Sequence, residues 1–130
     1  MIFTGATASI RGGARFAAFA SAKFALRGLA QSLAREYGPQ GIHVAHVLID
    51  GAVDAPDTLG KMLGPEEFQA LREQKGLDND GLILPEKLAE TYFHLAQQHR
   101  STWTHELDIR AHSDLAWWNH QSSKKVLNDD

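Results

Sequence analysis

The chain has 130 residues, 43% of them hydrophobic and 22% charged, no cysteine, and a formal net charge of −3. That suits one globular domain with a usable core, gives no basic footprint for nucleic acid, and excludes disulfides and thiolate metal sites. The lack of cysteine fits a reducing cytoplasm, and no apolar run reaches the ~20 residues that span a bilayer.

Ile2–Thr4 is a short β-favouring run that ends at Gly5, so a strand is predicted there. The chain enters this strand at once, with no basic leader segment, and reads as one picked up in mid-fold. Thr7–Ala14 is expected to be loop, with Ser9, Arg11, Gly12 and Gly13 as punctuators. A long helix is predicted from Arg15 to Tyr37, stopped by Gly38-Pro39, its many alanines favouring helix and close approach of a neighbour.

Ile42–Ile49 is nearly continuous apolar sequence interrupted by His43 and His46, as expected of a strand buried on both faces of a parallel sheet. Asp50–Pro56 is the loop leaving it. Short helices are predicted at Leu59–Leu63 and Pro65–Gln74, the second opened by proline and two acids. After a turn-rich link at Gly76–Gly81, Pro85–Gln98 forms a helix with Leu88, Tyr92 and Leu95 on one stripe. Trp103–Arg110 alternates like a last strand, and 113–130 is a tail whose Trp117-Trp118 pair would anchor it or meet another subunit.

Strand, helix, strand, helices, strand is the order of βαβ units. The fold class is therefore α/β: a parallel sheet of about three strands with helices on its faces and the first strand as an open edge. The histidines give no metal-ligand spacing. His43 and His46 are three apart on a strand, so they diverge, and no helical H-x-x-x-H pair exists. Lys23, Arg27, Gln31 and Arg35 recur every four residues, which by itself describes a solvated helix stripe. Phe19 by itself reads as a core residue on the inner face of that helix.

The strand, the glycine loop, the A-S-A-K-F-A-L-R-G-L-A-Q-S-L-A-R-E helix, Gly41-Ile42-His43-Val44 and Trp103-Thr104-His105-Glu106-Leu107-Asp108 together resemble the second half of a short-chain dehydrogenase/reductase. The resemblance covers about residues 2–111, so 1–112 is expected to be the C-terminal portion of a Rossmann-like domain. It implies hydride transfer between NAD or NADP and a carbonyl or alcohol of a small molecule.

In that family a tyrosine exchanges the proton, a lysine four residues on lowers its pKa and holds the cofactor ribose, and a serine polarises the carbonyl. Lys23 falls on the lysine, Phe19 on the tyrosine and Ala6 on the serine. Asp50-Gly51 replaces the family's Pro-Gly, and Ala55 stands where a cofactor-binding threonine would be. Backbone contacts to a nicotinamide carboxamide, at Gly51 and Val53, are compatible with this loop. No glycine-rich phosphate loop occurs in these residues, so the chain alone is expected to bind dinucleotide poorly.

Thr7, Ser9 and Ser21 are the hydroxyls near the helix entrance that offer a substitute proton donor, although such residues more often serve as caps or turns. Two functions follow from the resemblance: an oxidoreductase with altered catalytic groups, or an inactive relative serving assembly as a homo-oligomer. Neither invokes nucleic acid or membrane.

Overall fold

The computed structural model describes residues 1–76 and 80–114, and the Trp117-Trp118 pair lies outside them. Strands β1 (Ile2–Ala6), β2 (Ala45–Ile49) and β3 (Glu106–Ile109) form one sheet in the order β1-β2-β3, both pairings parallel. Helix α1 (Ala17–Tyr37) connects β1 to β2. The short α2 (Lys61–Leu63), α3 (Pro65–Lys75) and α4 (Pro85–Gln97) lie between β2 and β3. The expected α/β class and partial parallel sheet are what the chain adopts.

The central strand carries the core. Val44, Ala45, His46, Val47 and Leu48 are all buried, joined by Leu95 from α4 and by Ala20 and Ala30 from α1. Alanine at those helix positions lets the α1 backbone lie close to the sheet. In register Phe3 faces His46, which faces Glu106, and Arg27 of α1 bonds that glutamate, so these residues mark the α1 side. Alternation puts Thr4 on the opposite side, where its hydroxyl lies 2.6 Å from the Tyr92 hydroxyl of α4.

Element ends differ from the sequence reading for local reasons. Strand β2 starts at Ala45 rather than Ile42, because Gly41 turns left-handed at φ +82° and the Ile42 amide still closes onto the Tyr37 carbonyl. Strand β3 starts at Glu106 rather than Trp103. Residues 103–104 are engaged elsewhere: the Trp103 ring stacks on His43 at 4.9 Å, and the Thr104 amide donates to the Gln98 side chain. Helix α1 starts two residues later than expected, since Arg15 sits at φ +70°, outside helical space. The predicted Leu59–Leu63 helix is a π-helical turn over Pro56–Gly60 running into α2.

Candidate active-site cleft

Sites in parallel α/β sheets form at the carboxyl ends of the strands. Here Ala6 ends β1 and Ile49 ends β2, and both line a cleft of about 360 Å³. Thr7, Phe16, Phe19 and Gly51 complete much of its wall. Phe19 is therefore not a core residue: it remains 48% exposed, its ring forming one side of the cleft.

Lys23 stands one turn further along α1. Its ammonium lies 5.8 Å from the Phe19 ring centroid and donates to the Thr4 carbonyl at 2.9 Å. That carbonyl faces the open side of β1, so the lysine covers part of the strand edge and still has donors left. The four-residue polar stripe is thus only half solvated, since Arg27 also turns inward. Val53 is not in the cleft. It bridges to Ile83 and lines an apolar hollow with Leu88 and Tyr92.

Behind the cleft wall sits a carboxylate. Thr7 Oγ1 donates to Asp50 Oδ1 at 2.6 Å, and Asp50 is 4% exposed. Arg110, leaving β3, places its Nε 3.4 Å from the other oxygen, Asp50 Oδ2, and also pairs with Asp108. The Thr7 carbonyl accepts the Ile10 and Arg11 amides, which fixes the turn that presents the hydroxyl. Sequence reading singled out Thr7 and the Asp50 substitution separately. Only the fold reveals that the two touch.

Beneath the strand lies a second polar group with no counterpart in the sequence reading. Glu106 receives two bonds of 2.8 Å from Arg27 and lies 3.1 Å from His46 Nδ1. His46 is fully buried, and its Nε2 has no partner among the described residues. Hydrogen bonding from Arg27 holds the Glu106 carboxyl below its usual range. Burial lowers the pKa of His46 despite the opposing pull of Glu106, so the ring is neutral in the fold.

The sign follows directly. Below about pH 6.5 the unfolded chain takes up a proton that native His46 resists, so stability falls on acidification by up to about 1.4 kcal/mol per pH unit. Loss of the Glu106 contribution adds to this as pH drops through the carboxylate range. Thermal melts at pH 7.5 and 5.5 should show the decline, and His46→Leu should flatten it in that window.

With this geometry in place, a family model and a solved structure show which family the chain belongs to. A family model described as enoyl-(acyl carrier protein) reductase matches residues 1–107. The chain belongs to the short-chain dehydrogenase/reductase family. A solved short-chain dehydrogenase from Rhodopseudomonas palustris is 43% identical, with a TM-score of 0.57 over 85% of this chain and 37% of that one. Protein MoaE of Klebsiella aerogenes is 35% identical over 77 residues, which is 59% of this chain and 27% of MoaE. The chain thus spans roughly a third of the length of these two relatives.

The structure brings Ala6, Phe19 and Gly51 together in the cleft, with Lys23 at its side. A phenyl ring and a methyl group supply neither an acid nor a carbonyl-polarising hydroxyl. Among the described residues no group of three or more potential ligands is placed to hold a metal ion, and no helix is long and apolar enough to cross a membrane.

Proposed function

We propose that this chain supplies the substrate-facing half of an NAD- or NADP-dependent oxidoreductase whose usual proton donor and carbonyl polariser have been replaced. The observation that carries the reading is the placement of Lys23 beside the cleft at the strand ends, with ammonium donors to spare after its bond to Thr4. Residues 1–112 act as the C-terminal portion of the Rossmann-like domain on this reading.

These residues suit the nicotinamide end of the cofactor and not its pyrophosphate. Lys23 would hold the ribose hydroxyls and the backbone at Gly51 would meet the carboxamide, with Val53 turned away to its own hollow, while no glycine-rich phosphate loop is present in the 130 residues. The cofactor supplies the hydride chemistry, and the chain's own residues orient the substrate and handle its proton. On this reading the pyrophosphate is held by other polypeptide, for which the edge strand β1 offers a place to pair.

Titration of NADH and NADPH onto a version extended by a dinucleotide-binding half tests this. Lys23→Ala should weaken binding about tenfold or more, the cost of a charge-assisted hydrogen bond. No binding by the extended protein, or equal binding by both forms, overturns the reading.

A second reading, an inactive homo-oligomeric assembly subunit, is favoured by a different observation. Phe24 and Leu29 on α1 are 46% and 47% exposed, and Phe93 on α4 is 64% exposed. Apolar faces of this kind suit burial against another subunit. On this reading Lys23 serves only to cover the β1 edge.

A further inference from the structure

We propose that Thr7 and Asp50 form a two-oxygen proton relay that replaces the missing tyrosine, and that the cleft takes a small secondary alcohol bearing an apolar, preferably aromatic, arm. The inference rests on the oxidoreductase reading above and deepens it by naming the substrate class and the proton's path.

Three features carry it. Thr7 lines the cleft and, one residue past Ala6, is the hydroxyl adjacent to the vacated serine position. Its proton is already directed at Asp50 Oδ1 at 2.6 Å, which leaves its lone pairs to accept from a substrate hydroxyl. Asp50 is buried, and Arg110 places its Nε 3.4 Å from the second oxygen. A buried, charge-supported carboxylate behind a hydroxyl is the arrangement of a general base acting through a relay.

The direction of transfer follows from these charges. The substrate O–H bond breaks and its proton passes to Thr7 Oγ1. The proton of Thr7 passes in turn to Asp50 Oδ1. The substrate C–H bond breaks with its electron pair going as hydride to a nicotinamide dinucleotide, and the carbon–oxygen bond becomes a carbonyl. When product leaves, Asp50 returns its proton to water through the same two oxygens. A carboxylate at the far end suits alcohol oxidation, whereas the tyrosine it replaces serves both directions.

The rest of the cleft fixes the substrate's shape. Phe16 and Phe19 present their rings at 58% and 48% exposure, and Ile49 and Ala8 add aliphatic wall. A phenyl or alkyl arm lies against these rings while its carbinol oxygen meets Thr7.

The test uses the 130-residue chain without dinucleotide, so it can fail while the cofactor titration succeeds, or the reverse. The chain carries ¹³C-labelled aspartate carboxyls and ¹⁵N amides, and is titrated with 1-phenylethanol and, as a control lacking the hydroxyl, ethylbenzene. The alcohol should shift the Thr7 amide and the Asp50 carboxyl together with signals of Phe16 and Phe19. Ethylbenzene should shift the phenylalanine signals alone.

In Thr7→Val the alcohol should bind about three- to tenfold more weakly and leave the Asp50 carboxyl unmoved, and Thr7→Ser should restore both. An Asp50 signal that ignores the alcohol in the wild type overturns the relay. So does one that shifts equally in Thr7→Val, or a cleft that shows no response to the alcohol at millimolar concentration.

Discussion

Phe19→Tyr combined with Ala6→Ser is expected to raise carbonyl reduction by about 10²- to 10⁴-fold in a protein completed by a dinucleotide-binding half, the range a positioned general acid contributes. The geometry is already laid out for it. The Phe19 ring forms the cleft wall and its centroid lies 5.8 Å from the Lys23 ammonium, so a hydroxyl added there would sit near a fixed cation. A nearby cation favours the phenolate and so brings its proton within reach near neutral pH. Ala6 lines the same cleft and would present the serine hydroxyl to the carbonyl oxygen.

Single-turnover reduction of an aryl ketone, monitored by loss of NADPH absorbance, measures the gain. Lys23→Ala in the same background should remove most of it. A double variant that binds cofactor and ketone yet reduces no faster would favour the assembly-subunit reading, because the cleft would then have drifted beyond repair by two side chains.

The fold was legible because its signals are local and strong. Ile42–Ile49 is apolar enough to declare a buried strand, and the alanine-rich α1 ends at Gly38-Pro39 as such helices do. The candidate site was legible only as a spacing: Ala6 and Phe19 line one cleft and Lys23 stands beside it because one strand end and one helix place them there.

What escaped the sequence was every contact made across long separations. Nothing in a linear reading joins Thr7 to Asp50, or Arg27 to Glu106, since each pair meets only through the pairing of the strands. Arg27 was misjudged as solvated because its four-residue spacing looks identical whether its partner is water or a carboxylate on β3. The spacing of His46 from His43 argues against a shared metal, but only the fold shows that its ring is fully buried against Glu106.

Gly5→Ala is expected to be strongly destabilising, at about 3 kcal/mol, the upper part of the range for overpacking a tight core. A Cβ on Gly5 would overlap His46 Nε2 and stand 2.6 Å from Ser9 Oγ. Neither neighbour can yield. His46 is fully buried with its other nitrogen on Glu106, and Ser9 is fully buried with its hydroxyl oxygen accepting the Ala6 amide.

Relief by moving the backbone would disturb the pairing of Gly5 with Leu48, one residue before the cleft. It would also displace Ala6 and Thr7, so ligand response at Thr7 should fail along with stability. Urea unfolding gives the loss as a lower midpoint. If His46 is the obstacle, His46→Ala costs less in the Gly5→Ala background than in the wild type, because the cavity it leaves is filled by the new methyl. Strictly additive costs would instead place the strain in the strand itself.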